Sequence, residues 1–230
     1  MAVCIKDQIQ NMNLVIGCTI GCSYCYARNN VRRFHMTEDF SRPEYFPGKL
    51  RLIDRKRPQN LLLTGMSDFS DWKPEWREEV FARIAQNPQH QYIFLTKRPE
   101  KIRFSTELDN VWFGVTVTSA KEKGRIQAMR ENIRGKHYQV SFEPMFDDIG
   151  KVDLTGIEWI VVGTETGRRK GKSVSKPEWG WNLTEHAHSC DMPVFMKEDL
   201  LPVMGEEQMI QELPRVFYDV LEEQRIWKKK

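Results

Sequence analysis

Seven short apolar segments, rich in β-branched and aromatic residues, recur along the 230-residue chain at intervals of roughly 20–40 residues. Segments of this kind are typical of parallel strands that are buried on both faces. Several intervals carry a helical pattern, and strands that alternate with helices predict an α/β protein with right-handed crossover connections. The predicted strands are Leu14–Gly17, Leu61–Gly65, Tyr92–Thr96, Val111–Val117, Tyr138–Phe142, Trp159–Gly163 and Val194–Met196.

Six or seven such units are too few for a closed barrel of eight strands. We therefore predict a partial, open (β/α)6 barrel, TIM-like and with parallel strands, and keep a doubly wound sheet as the alternative. The sequence indicates a single domain over residues 1–230, with a core at about 13–200 and a C-terminal helical segment at about 205–226. One helix is expected to start near Pro74 and another to stop near Gly135. The sequence Lys-Pro-Glu-Trp occurs at 73–76 and at 176–179, which indicates two similar helix starts.

The carboxyl ends of the predicted strands turn polar. In parallel barrels these ends face the active site, so polar side chains there predict a polar cavity. The alternative is that strand ends meet water and are polar for that reason alone. In chain order, the polar residues after or on the second to seventh strands are Thr64 to Asp68, Thr96 to Arg98, Thr116 and Thr118, Ser141 and Glu143, Thr164 and Glu165, and Lys197 and Glu198.

Three of the five cysteines, Cys18, Cys22 and Cys25, lie within eight residues and have the spacing C-x3-C-x2-C. Three thiolates on one loop can hold three irons of a four-iron cluster and leave the fourth iron open, whereas electron-transfer clusters normally use four cysteines. A structural zinc site that adds His35 is the alternative. A disulfide framework is disfavoured because the cysteine count is odd and the N-terminus lacks the apolar core of a secretory signal.

The cysteine loop resembles the signature of the radical S-adenosylmethionine (SAM) superfamily, including the aromatic Tyr24 before the last cysteine. Other segments resemble a small branch from phages and mobile elements, the radical SAM mobile pair protein A group. The resemblance implies a 4Fe–4S cluster and SAM as cofactors, an external electron donor, and reductive cleavage of SAM to a 5′-deoxyadenosyl radical that acts on an unidentified substrate. Members of that group are encoded beside a second radical SAM protein, which implies a protein partner. The similar segments are 34–35, 63–70, 93–99, 141–144 and 162–167.

The same resemblance assigns candidate cofactor contacts. The segment after the second strand is expected to receive the SAM amino group, although it departs from the common Gly-Gly-Glu form of the family. Glu143 and Lys97 are candidate catalytic residues that face the substrate. The candidate SAM contacts are Tyr24 at the adenine, Gly65 and Asp68 at the amino group, Thr116 and Thr118 at the ribose or carboxylate, and Gly163 and Glu165 at the adenosine.

Basic residues cluster at 28–33, 55–57 and 168–172, although the net charge is only +3. Arginine clusters suit phosphate binding, and tryptophans can stack on bases. Nucleic acid is therefore a candidate substrate or partner, and a solvated basic surface is the alternative. The candidate stacking residues are Trp72, Trp76, Trp179 and Trp181.

No apolar segment reaches the 18 or so residues that a membrane span needs, so no membrane association is expected. An oxygen-sensitive cluster and the missing secretory signal predict a reducing cytoplasm. The alternative function is a non-enzymatic module, stabilised by zinc or a cluster, that binds nucleic acid or a partner protein.

Overall fold

The computed structural model describes residues 2–167 and 169–227, and its centre is a parallel sheet of seven strands. The sheet curls into a half-barrel, as the sequence predicts for a partial TIM-like barrel. Its spatial order is β1-β4-β5-β7-β9-β10-β11. These strands are β1 Gln10–Asn11, β4 Asn60–Leu62, β5 Gln91–Thr96, β7 Val111–Thr116, β9 His137–Phe142, β10 Trp159–Val162 and β11 Val194–Met196.

Helices connect the strands, and two short strand pairs lie outside the main sheet. The antiparallel pair is β2 Val15–Ile16 with β3 Glu44–Tyr45, and the parallel pair is β6 Phe104–Ser105 with β8 Ile133–Arg134. In the part of the chain that the structure describes, 3-10 helices lie at Pro47–Leu52, Phe69–Asp71, Pro99–Lys101, Ala120–Glu122, Glu198–Leu200 and Glu206–Gln208. The α-helices are α1 Ile5–Gln8, α2 Tyr26–Phe34, α3 Pro74–Ala85, α4 Gly124–Asn132, α5 Pro177–His188, α6 Leu201–Met204 and α7 Arg215–Trp227.

The repeated Lys-Pro-Glu-Trp sequence does begin two helices, α3 and α5. In each, the proline takes the first helical position, where its missing N–H leaves no hydrogen bond unmade. In each, the lysine ammonium also lies over the tryptophan ring of the same motif, 5.0 Å from the centroid at 73–76 and 5.8 Å at 176–179. The prediction of two similar helix starts is confirmed.

The first predicted strand, Leu14–Gly17, is wrong as a member of the main sheet. Val15–Ile16 pairs antiparallel with Glu44–Tyr45, and the edge of the main sheet is instead Gln10–Asn11, parallel to Leu61–Leu62. Leu14, Val15 and Ile16 are fully buried, so the apolar pattern reflects packing rather than sheet membership. The other six predicted strands are confirmed.

The outward residues of the sheet build the larger core. Phe94 on β5 and Phe113 on β7 pack on Phe81 of α3, with ring centroids 5.0 and 6.2 Å apart. Val162 and Val194 belong to the same core. The helices therefore cover the convex face and leave the concave face of the half-barrel for a cavity.

The inward residues near the amino ends of the strands form a second, smaller core that α7 closes. Trp112 and Trp159 point inward and contact Phe217 of α7, with ring centroids 4.9 and 5.4 Å apart. Phe217 is fully buried. The C-terminal helix thus plugs the amino-terminal end of the half-barrel.

Among the described parts of the chain, none of the helices combines the length and apolar character that a membrane span requires.

Replacing Phe217 by alanine removes the plug and leaves a cavity between the two tryptophans. We expect Phe217→Ala to lower the free energy of unfolding by about 3–5 kcal/mol. Val216→Ala, at the neighbouring and 37% exposed position, should change it by less than about 0.5 kcal/mol. Urea unfolding followed by circular dichroism measures both, and equal effects would contradict the plug.

Candidate functional site

A cavity of about 500 Å³ opens at the carboxyl edge of the half-barrel. The cysteine loop, the strand ends and the N-terminal segment with α1 all contribute to its lining. Of the twelve residues that the sequence nominates, ten line this cavity and two, Thr118 and Gly163, do not. The ten are Cys18, Cys22, Tyr24, Cys25, Gly65, Asp68, Lys97, Thr116, Glu143 and Glu165.

An ion-pair network ties the cysteine loop to the sheet. Arg98 donates from Nη2 to Asp71 Oδ1 at 2.6 Å and to Thr19 Oγ1 at 2.9 Å. Thr19 follows Cys18 and donates its backbone N–H and its hydroxyl to the two Asp71 oxygens, at 2.9 and 2.8 Å. Because Arg98 follows β5 and Asp71 ends the 3-10 helix after β4, the network fixes the loop over the carboxyl edge.

The thiols of this loop lie in two different environments. Cys25 is the N-cap of α2, and its Sγ accepts a hydrogen bond from the backbone N–H of Arg28 at 3.5 Å. Burial raises the pKa of the Cys18 thiol to about 12, and the nearby Asp68 and Asp71 carboxylates raise it further. Any iron that binds Cys18 must therefore displace its proton.

The donor set suits a cluster in number and kind. All three thiols are free of disulfides. Within residues 2–167 and 169–227, no three His, Cys, Asp or Glu side chains gather closely enough to hold a metal ion. Cluster cysteines bind different irons and so stand apart, whereas Zn–S bonds of about 2.3 Å hold the ligands of one zinc close together.

His35, the expected fourth ligand of the zinc alternative, lies away from the thiols. It is exposed and forms the C-cap of α2, whereas Cys25 is the N-cap of the same helix. The two caps are ten positions apart along this helix, which corresponds to about 15 Å. A zinc site of three cysteines and His35 is not assembled in this structure.

Tyr24 and Lys97 face each other across the cavity wall. The Tyr24 ring packs edge-on against Phe146 at 5.1 Å, and the Lys97 ammonium lies 5.8 Å from the Tyr24 centroid. Burial lowers the pKa of Lys97, against the opposing attraction of Cys22, Asp68 and other negative groups. Within the described chain Lys97 forms no ion pair closer than 4 Å, so its charge is available to an anionic ligand.

Asp68 ties the ends of two strands together. Its Oδ1 accepts from the Thr96 hydroxyl at 2.6 Å and from the Ser70 backbone N–H at 2.9 Å, and its Oδ2 accepts from the Lys97 backbone N–H at 2.7 Å. The carboxylate lines the cavity but already has three protein donors. Gly65, next to it, accepts the Tyr26 hydroxyl on its carbonyl at 2.6 Å, a contact that the sequence did not suggest.

Glu165 fastens the basic loop after β10. It is 3% exposed and accepts from Arg169 Nε and Nη2 at 2.6 and 2.7 Å and from the Ser173 backbone N–H at 3.0 Å. The Arg169 guanidinium lowers the pKa of this carboxyl. Arg168 of the same basic cluster lies outside the described residues. Arg169 is therefore committed to Glu165, and Lys170 and Lys172 stay exposed.

The remaining nucleic-acid candidates are scattered. Residues 55–57 precede β4 and lie at the amino edge, opposite the cavity. Trp72 is buried and donates to Ser67, so it cannot stack on a ligand. Trp76, Trp179 and Trp181 are half-buried against the larger core. None of the four tryptophans lines the cavity in the described chain.

Glu143, Lys197 and Asp199 form a charged cluster at the mouth. Lys197 Nζ bonds Glu143 Oε1 and lies 3.4 Å from Asp199 Oδ2. Burial opposes the charge of Lys197, but the two carboxylates outweigh it and raise its pKa. Burial also raises the pKa of Asp199 to about 6. A Cβ on Gly163 would lie 3.0 Å from Glu143 Cγ, so this glycine makes room for the pair rather than lining the cavity.

Thr118 lies outside the cavity lining because its polar groups point toward the next helix. Its backbone N–H and its hydroxyl both donate to Glu122 Oε2, at 2.7 and 2.8 Å. The strand ends at Thr116, and Thr118 positions the 3-10 helix that follows. Thr116 itself lines the cavity.

Sequence reasoning missed several lining residues, among them Asn11, Tyr26, Gln139 and Asp199. Gln139 could have been found, because it lies two residues before Ser141 and therefore on the same face of β9. Asn11 gives no such signal, since its strand has two residues and no apolar pattern. The sequence points to Asp199 only indirectly, because Asp199 follows Lys197, a predicted polar residue at a strand end, by two positions.

Comparison with known proteins places the chain in a family. The family model described as "Protein of unknown function (DUF5131)" matches residues 5–211, and the chain belongs to this family. No curated protein and no solved structure matches the chain. The family description names no reaction, so the chemistry of the site rests on its residues.

The raised pKa of Asp199 predicts a pH-dependent stability. Between its unfolded value near 3.8 and about 6, the native carboxyl keeps a proton that the unfolded one releases, so stability falls as pH rises through this window. Asp199→Asn removes this titration. From pH 4 to 7 the wild type should lose about 2 kcal/mol relative to the variant. Urea unfolding at both pH values measures the difference, and parallel pH curves would refute the assignment.

Proposed function

We propose that this member of the DUF5131 family is a radical SAM enzyme that binds a 4Fe–4S cluster through Cys18, Cys22 and Cys25 and cleaves SAM reductively. The observation that carries the proposal is that three free thiols of one loop line the same cavity as the polar strand ends. When bound, such a cluster supplies one electron from an external donor to the sulfonium, so that the carbon–sulfur bond breaks into methionine and a 5′-deoxyadenosyl radical.

The chain itself supplies a partly apolar chamber, closed at its amino-terminal end, for a reactive species. The inward side chains Ile93, Trp159 and Val161 line the depth of the cavity, and Phe217 seals the strands beneath them. A site closed at one end excludes water and limits side reactions of the radical. The protein is thus proposed to bind and orient the cofactors and to shield the radical, while the cofactors carry the electron chemistry.

Four groups around the mouth are proposed to hold SAM. Tyr24 offers an aromatic surface for the adenine, and Thr116 offers a hydroxyl toward the ribose or carboxylate. Gly65 and Glu165 are the other two groups. Glu165 also holds the loop after β10 in place, because Arg169 of that loop donates to its carboxylate. Asp68 is proposed to shape this site through its hydrogen bonds to both strand ends, and its oxygens at the cavity wall remain candidates for the SAM amino group.

Glu143 and Lys97 are proposed to face the substrate. Glu143 contacts Lys197 directly, and Asp199 lies on the other side of the same lysine. Within the described chain Lys97 forms no ion pair, so its amino group is proposed to meet an anionic group on the substrate.

The arginines of α2 are the proposed contact surface for macromolecular partners. Arg28, Arg32 and Arg33 lie on α2 next to the cysteine loop, where a polyanion or an electron-donor protein would approach. Nucleic acid and a second radical SAM protein encoded alongside are the proposed macromolecular partners. A reducing cytoplasm is the proposed compartment, because the cluster is sensitive to oxygen.

Anaerobic reconstitution with iron and sulfide tests the proposal against a zinc-stabilised binding module. The radical SAM enzyme should become brown, hold about four irons per chain and form 5′-deoxyadenosine from SAM under dithionite. A colourless protein with one bound zinc and no SAM cleavage would establish the module instead.

Single cysteine variants give a prediction with controls inside the same chain. Replacing Cys18, Cys22 or Cys25 by alanine should lower 5′-deoxyadenosine formation by at least about 100-fold, because a ligand of the cluster is lost. The circular dichroism spectrum should not change. Cys4→Ala and Cys190→Ala should keep both iron and activity, since neither thiol lies in the cavity lining of the described residues. Retained turnover in any of the first three variants contradicts the ligand assignment.

A further inference from the structure

Gln139 places a single amide deep in the cavity. It lies in the middle of β9, is 2% exposed and belongs to the cavity lining. At about 3.3 Å per residue, it lies roughly 7 Å below Ser141 at the strand end. The candidate SAM contacts Tyr24 and Thr116 lie nearer the mouth of the cavity, so Gln139 lines a deeper part of it.

The amide of Gln139 has no partner among the residues that the structure describes. Within the described chain its Oε1 is buried without a hydrogen bond, and its Nε2 forms none either. Asn110, buried in the turn just before β7, shows the usual arrangement, because its Nδ2 donates to the carbonyls of Asn87 and His90 at 3.4 and 3.0 Å. A buried polar group without a partner destabilises the fold, so its retention points to a ligand that completes it.

The neighbouring strands are shaped around this amide. Gly114 is the register partner of Gln139 on β7, and a Cβ there would lie 2.7 Å from both Gln139 Cγ and Leu95 Cδ2. Trp159 is the register partner on the other side and also lines the cavity. Gln139 thus lies between a position without a side chain and an aromatic ring.

We infer that Gln139 binds the hydrogen-bonding edge of a nucleobase, and that this base is the part of the substrate that enters the cavity most deeply. A carboxamide presents one donor and one acceptor side by side, the pattern that pairs with a base edge. The neighbouring lining residues Ile93, Val161 and Trp159 carry no charge, which suits a neutral planar ring. Lys97 lies beside Tyr24 near the mouth of the cavity, where its side chain can bind a phosphate attached to the base. That the base is a substrate rests on the proposed function, whereas its binding does not.

The test is calorimetric titration of the purified full chain, loaded with SAM at saturation, with uridine, thymidine, adenosine and guanosine at millimolar concentration. At least one nucleoside should bind. Gln139→Met keeps the length of the side chain and should weaken that binding about 10- to 100-fold, the range of a two-bond base contact. Gln127→Met, on the exposed face of α4, should leave the Kd unchanged.

Stability separates a binding role from a structural one. Because Gln139→Met removes an unpartnered buried amide, its Tm should equal or exceed the wild-type value, by about 2–4 °C at most. Gln139→Glu retains the shape but loses the donor, and should also weaken binding by about tenfold or more. A lower Tm in Gln139→Met, the absence of nucleoside binding, or displacement of the nucleoside by SAM would each overturn the inference.

The nucleoside-binding test gives its answer whether or not the protein cleaves SAM. Nucleoside binding that depends on Gln139, in a protein that never cleaves SAM, keeps the inference and refutes the proposed function. SAM cleavage in a protein that binds no nucleoside does the reverse.

Discussion

The alternation of side chains along parallel strands governs this molecule. Each strand of the curled sheet sends one set of residues outward to the helices and the other inward to the cavity. The inward set changes character along the strands, from Trp112 and Trp159 at the amino end to Ser141 and Thr116 at the carboxyl end. One strand pattern therefore makes both the floor and the polar rim of the cavity, and the cysteine loop completes the lining.

Polar contacts between strand ends hold the rim in place. Asp68 joins the end of β4 to Thr96 and Lys97, and Asp71 joins Arg98 to the cysteine loop. These carboxylates are buried or nearly so, and each accepts several hydrogen bonds, which makes their removal costly. The position of the thiols thus depends on residues 40 or more positions away in the chain.

Much of the fold could be predicted, because continuous apolar strands and helix-starting prolines are local signals. The prediction that Leu14–Gly17 belongs to the main sheet was wrong, because a buried segment has the same apolar pattern whether or not it pairs with that sheet. Most of the site residues could be nominated from polar strand ends and cysteine spacing. Thr118 and Gly163 could not be placed correctly from the sequence. The hydrogen bond from Thr118 to Glu122, and the space beside Gly163 that Glu143 occupies, are visible only in the folded chain. The unpartnered amide of Gln139 likewise appears only once its neighbours are known.

The plug formed by Phe217 has a consequence for the nascent chain. Ribosomes deliver the cysteine loop first and α7 only after all seven strands of the sheet. Until that helix emerges, Trp112 and Trp159 have no cover, and the chamber is open to solvent from below. The cavity that the three thiols line therefore acquires its closed amino-terminal end only after translation has passed α7.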